Sequence, residues 1–165
     1  MEILNLALPA TNRFATGYVS GNQRVLDFFH YDYNKQSAYQ ERLDELRNRS
    51  FYRHELADHI ERYMAKWPMA KKIHENIAKL RDSRSVAVIG GQQAGLLTGP
   101  LYSVHKAISV IKLAEEKEKE LGVPVVPVFW IAGEDHDLQE VNHVYILKDG
   151  KPEKSVYPGV YSQKR

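Results

Sequence analysis

Two stretches of this chain carry residues whose types and spacing can do chemistry. The first, "GGQQAGLLTGPLYSVH" from Gly90 to His105, sets Gly91, Gln92, Gln93, Gly95, Thr98 and Gly99 ahead of Tyr102 and His105. Glycines admit backbone amides close to a ligand, and Pro100 suits the first position of a helix whose N-terminus is open to an anion. The spacing is neither G-x-G-x-x-G nor a P-loop, so the phosphate reading rests on setting rather than motif. A tight strand-to-helix connection accounts for the same glycines without any ligand. The second stretch, "AGEDHDLQEVNH", gathers Glu134, Asp135, His136 and Asp137 and continues to Asn142 and His143. Four consecutive ionisable side chains are costly to leave at a strand end without a partner. Asp137 can instead cap a following helix.

Both stretches need elements that place them. Val86 to Ile89 is a short β-branched run, Pro100 to Leu121 has helical spacing, and Val125 to Ile131 is a second apolar run. Strand, helix, strand predicts a parallel βαβ crossover, and the lack of polar alternation predicts strands covered on both faces. The helix should bury Val104, Ala107, Ile108, Ile111 and Ala114, pair Glu115 with Lys119, and end on a left-handed Gly122. Pro124 and Pro127 place the start of pairing near Val128. Ligands of open parallel sheets bind beyond the carboxyl ends of the strands, where both stretches would lie. The segment from His143 onward reads as a strand, an Asp149-Gly150 turn and a return strand.

The first half is helical. Apolar residues recur at Tyr39, Leu43 and Leu46, at Leu56, Ile60, Tyr63 and Met64, and at Ile73, Ile77 and Leu80, predicting three amphipathic helices. Ser50 and Pro68 punctuate them as a cap and a break. Ahead of these, the spacing allows a short strand over Ile3 to Leu8 and a loop around Pro9 to Gly21. His54, His59 and His74 read as parts of solvated faces. The predicted organisation is a helical segment over 1–83 that packs on an α/β core over 84–165.

Composition narrows the function classes. The 165 residues hold 23 basic and 21 acidic side chains, a net charge of +2 that is no nucleic-acid footprint. Without cysteine there is no disulfide framework, thiol nucleophile or Cys-type zinc site. The start, "MEILNLALPATNRF", lacks a basic region followed by an apolar core, and no apolar run approaches membrane-spanning length. A cytoplasmic protein with no membrane partner is the expectation.

The stretches "IGGQQAGLLTGPLYSVHKAISVIKLA" and "VPVFWIAGEDHDLQEVNHVYIL", with "TNRFATGYVSGNQRVLDFFHYD" near the start, resemble the N-terminal part of the bacillithiol biosynthesis cysteine-adding enzyme family, BshC. The resemblance covers nearly the whole chain and implies an α/β fold. Its core would be an incomplete, Rossmann-like parallel sheet related to nucleotidylyltransferases, preceded by the helical segment. Family members are several times longer and dimerise through a coiled coil that lies outside these residues. Where related enzymes carry two signature histidines, this chain has Tyr102 and Val104 in place of the first histidine and the glycine. His105 alone is retained.

The reaction implied by the resemblance joins the carboxyl group of cysteine to the amino group of glucosaminyl malate. A carboxylate does not accept an amine in water without activation, so ATP or ADP is the implied cofactor, with a phosphorylated or adenylylated cysteine on the path. The implied roles are catalytic for Asp135, His136 and His105. Gly91, Gln92, Gln93, Gly95, Thr98, Gly99 and Tyr102 would hold the nucleotide, and Glu134, Asn142 and His143 the substrate. No metal is assigned. Two other readings stand beside this one. Asp135, His136, Asp137 and His143 could ligate a divalent metal in a hydrolase, although no second cluster completes the set. Alternatively, the chain is a nucleotide-binding or assembly module without catalysis, since two or three strands leave an open edge and an uncovered apolar face.

Overall fold

The computed structural model describes residues 12–95, 98–133 and 142–157. Two compact units divide the chain, residues 1–50 and residues 51–165. The first holds α1 (Arg13–Val19), α2 (Gln23–Leu26) and α3 (Ala38–Arg47). α1 replaces the loop expected over 9–21, because the Asn12 side chain accepts from the Phe14 and Ala15 amides at 3.0 and 3.1 Å. Two of the amides that every helix start leaves without partners are thereby satisfied. Rings of Phe14, Phe29, Tyr18 and Tyr33 pack in series at tilted angles, Tyr18 and Phe29 with centroids 4.4 Å apart. On α3, Glu45 accepts from the Tyr31 hydroxyl and pairs with Arg42 and Arg49. The hydrogen bond from Tyr31, followed by that from Arg42, holds the Glu45 carboxyl down to about 2. The strand expected over 3–8 lies outside the described residues.

The second unit begins with α4 (Arg53–Met64) and α5 (Lys71–Leu80), which with α3 are the three helices that the periodicity predicts. Pro68 falls in the break between them, but α4 is capped by Tyr52 rather than Ser50, with no side-chain hydrogen bond. Arg81 reaches back from the end of α5 to Asp58 and Glu61 at 2.7 and 2.8 Å, fastening the two helices together. His54, His59 and His74 are all exposed.

The crossover follows as β1 (Val86–Gln93), α6 (Leu101–Leu121) and β2 (Val125–Ala132). β1 and β2 pair in parallel from Val86 opposite Val125 to Gln93 opposite Ala132. Pairing therefore starts three residues before Val128, with the Val86 amide donating to the Pro124 carbonyl at 3.0 Å. Because that carbonyl points at β1, alternation turns residue 127 toward the open edge, where a proline's missing N–H costs nothing. β1 also runs through both glycines and both glutamines, which the apolar run alone did not reveal.

α6 starts one residue after Pro100, which is its cap rather than its first residue, and stops at Gly122 with φ +65°. Its packed stripe shares Ala107 and Ala114 with the predicted one and departs from it elsewhere. Ser103, Ala114 and Lys117 are buried and Val110 meets the sheet, whereas Val104, Ile108 and Ile111 are 38%, 50% and 45% exposed. The reason is close approach, since a Cβ on Gly90 would stand 2.5 Å from Val110 Cγ2. The Glu115 carboxylate pairs with Lys112 at 3.2 Å, not with Lys119.

One sheet face lies against α5 and α6. There a groove of about 650 Å³ is lined by Ile73, Ala107, Val110, Pro127 and Phe129 among others. Glu118 closes one side, accepting from Lys79 Nζ at 2.6 Å and from the Val125 amide at 2.9 Å. The bond from Lys79, then that from Val125, lowers the Glu118 carboxyl from its usual range. The other face departs from the expectation of two covered faces: Ile89 is 70% and Trp130 62% exposed among the described residues. A separate hairpin joins β3 (His143–Lys148) to β4 (Lys151–Val156). Its turn residues Asp149 and Gly150 have φ of +51° and +75°, as the Asp-Gly pair predicts for a tight two-residue turn.

Candidate functional site

Strand β1 runs its last residues out along the α6 side of the sheet. Alternation places Gly90 and Gln92 on that side, Gly90 against Val110 and Gln92 against the first two turns of α6. Gln92 Nε2 donates to the Tyr102 hydroxyl at 3.4 Å, and Gln92 Oε1 accepts from Lys106 Nζ at 2.7 Å. Lys106 lies in addition 5.7 Å from the centre of the Tyr102 ring. The cap residue of α6, Pro100, gives no side-chain hydrogen bond, and with the Ser103 amide bound to the Pro100 carbonyl at 2.9 Å the Leu101 and Tyr102 amides have no partner among the described residues. Uncapped amides, an ammonium and a hydroxyl make the junction a place of hydrogen-bond donors, which suits an anionic ligand.

The glycines owe their places to the fold. A Cβ on Gly91 would stand 3.0 Å from the Trp130 carbonyl oxygen, and one on Gly95 would stand 2.7 Å from the Gly99 Cα. Gly99 has φ +73°, and Thr98 before it has φ +77°, a conformation that β-branched residues rarely adopt. The turn ahead of α6 is thus held strained and folded back on Gly95. Ser103 sits beneath it with its Oγ buried and unpartnered among the described residues. An added Cβ on Gly99 would lie 3.4 Å from that oxygen.

Of the predicted site residues, the structure brings Gln92 and Tyr102 together and packs Gly95 on Gly99. Gln93 ends β1 opposite Ala132. His105 is exposed in the second turn of α6 and has no hydrogen-bond partner among the described residues. Asn142 and His143 adjoin at the start of β3, Asn142 Oδ1 lying 3.4 Å from His143 Nδ1. No hydrogen bond among the described residues joins that pair to the β1–α6 junction. Glu134, Asp135, His136 and Asp137 lie outside the described residues. Among the described residues no group of three His, Asp or Glu side chains could hold a metal, and no helix is long and apolar enough to cross a membrane. Sequence reasoning missed Lys106 and Ser103. The signal for Lys106 was its place four residues after Tyr102, one turn along the same helix face.

A parallel strand–helix–strand unit whose polar residues collect at the strand's carboxyl end defines a Rossmann-like α/β domain. Residues 1–165 match the family model described as bacillithiol biosynthesis BshC, N-terminal Rossmann-like domain. The chain belongs to this family. It is similar to proteins named "Putative cysteine ligase BshC" from Geobacillus sp. (strain WCH70), with 49% identity, and Geobacillus thermodenitrificans (strain NG80-2), with 47%. Both alignments cover 100% of this chain and 30% of the relative. The namesake from Bacillus licheniformis is 48% identical over 96% of the chain and 29% of its own length. The chain thus spans about 30% of the length of the curated relatives that it matches.

Proposed function

We propose that the protein carrying this chain adds cysteine to glucosaminyl malate by amide bond formation, in the synthesis of bacillithiol in the cytoplasm. Supporting this are the family to which the chain belongs, the name its relatives carry, and one structural observation: the donor-lined junction of β1 and α6. A bound nucleoside triphosphate would supply the activation that a carboxylate needs before an amine can displace its oxygen. The residues present fit an anionic group of that kind, since the junction offers the uncapped start of α6 together with Gln92 and Tyr102. Gly95, Thr98 and Gly99 would hold the nucleotide from the turn ahead of α6, and Gly91 and Gln93 from the end of β1 that leads into it.

In this reading the amine of glucosaminyl malate must lose a proton as its nitrogen bonds to the cysteine carbonyl carbon. Asp135 orients His136, and the imidazole takes that proton. His105 and the backbone amides of the turn stabilise negative charge on the departing oxygen or the tetrahedral centre. Glu134, Asn142 and His143 orient the substrates. Dimerisation through segments beyond these residues, and the lack of activity in the 165 residues alone, belong to the same proposal. The uncovered Ile89 and Trp130 support it, because such a face calls for further packing.

The test is product formation by the full-length protein with cysteine, glucosaminyl malate and ATP, followed by mass spectrometry. Asp135→Asn and His136→Ala should each lower kcat by about 100-fold or more, the usual worth of a positioned base. Unchanged rates in both would remove the base assignment.

A further inference from the structure

The polar cluster at the β1–α6 junction carries an inference that rests on the proposed function and makes it more specific. Gln92 is engaged at both ends of its amide, by the Tyr102 hydroxyl at 3.4 Å and by Lys106 Nζ at 2.7 Å. Tyr102 and Lys106 stand four residues apart on α6, and the ammonium also faces the tyrosine ring. The three side chains therefore close a triangle.

That triangle has a chemical polarity. The amide oxygen, the acceptor end of the side chain, takes Lys106. The tyrosine hydroxyl, accepting from Gln92, keeps its own proton to donate, and Lys106 keeps two more. Among the described residues Lys106 meets no carboxylate, unlike Lys112 further along the same helix, which pairs with Glu115 at 3.2 Å. Gln92 is part-buried, whereas Tyr102 and Lys106 are exposed, so the donors face outward. The tether also removes part of the entropy that a free lysine would lose on binding.

We infer that Gln92, Tyr102 and Lys106 form an oxyanion-recognition cluster, in which Lys106 binds the phosphate or carboxylate oxygens of a ligand and Gln92 positions it. The two sources of that chemistry are a nucleotide phosphate and the malyl carboxylates of the acceptor. The α5–α6 groove also holds lysines, but there Lys72 pairs with Glu75 and Lys79 with Glu118.

The test is calorimetric titration of the full-length protein with ADP and, separately, with glucosaminyl malate. Lys106→Met should weaken one ligand by about 10-fold or more, while Lys106→Arg stays within about 3-fold of the wild type. Loss in the ADP arm assigns the phosphate, and loss in the other arm assigns the carboxylate. Gln92→Glu should produce a similar loss, because it gives Lys106 a carboxylate partner and leaves the tether in place. Affinity of the wild type should fall with added salt more steeply than that of Lys106→Met. Lys106→Met binding both ligands within about twofold of the wild type would overturn the inference and leave the proposed function standing. Wild-type protein that bound neither ligand would overturn both.

Discussion

Gly90→Ala tests the closest contact of the crossover. The new Cβ would stand 2.5 Å from Val110 Cγ2, against about 3.5–4.0 Å for two carbons at rest, so roughly 1 Å of displacement is required. Val110 cannot easily supply it, because a β-branched side chain in a helix has one strongly preferred rotamer. The strain of such overpacking is about 1–3 kcal/mol, offset by about 0.5–1 kcal/mol from the stiffer unfolded chain. A net loss of about 1–2 kcal/mol is expected in urea melts followed by circular dichroism, with the slope of the transition unchanged. The clash disappears if Val110 is shortened. In a double-mutant cycle, Gly90→Ala should therefore cost little in a Val110→Ala background, giving a coupling of about 1 kcal/mol or more. Additive losses would refute the contact as the cause. Gly133, whose Cβ would meet nothing within 4 Å among the described residues, is the control and should tolerate alanine.

Two further outcomes follow from the same unit. Thr98→Gly should stabilise the chain by about 1 kcal/mol, because it removes a β-branched side chain from φ +77°; a thermal melt lower than the wild type would contradict that. Glu118 has a lowered folded value, so its contribution is present above its ordinary range near 4.5 and is lost as pH falls through the folded value. Glu118→Gln should accordingly be less stable than wild type at neutral pH and converge with it in acid, as urea melts across pH would record. Parallel curves at all pH values would mean that the Lys79–Glu118 pair contributes nothing.

Much of this protein was legible along the chain because local rules decided it. Helical spacing placed α3, α4 and α5, β-branched runs placed β1 and β2, and Gly122 and the Asp149-Gly150 pair marked an end and a turn. Each depends on residues within a few positions of one another. α1 escaped notice because its short apolar pattern is weak, and its cap, Asn12, looked like part of a loop. The face of α6 that is buried was a tertiary matter. Periodicity placed Ala114 correctly but also favoured the larger Val104 and Ile108, whereas Gly90 lets the helix come so close that Ser103 and Val110 face inward. The candidate site divides in the same way. Gln92 and Tyr102 were picked out by type and by proximity to a strand end, whereas Lys106 joined them only once a strand and a helix were packed. Sequence determined which segments are helix and strand and which residues carry chemistry, because those depend on neighbours in the chain. Tertiary structure decided which faces meet and which donors converge, because contacts between β1 and α6 bring together residues 10 and 14 positions apart.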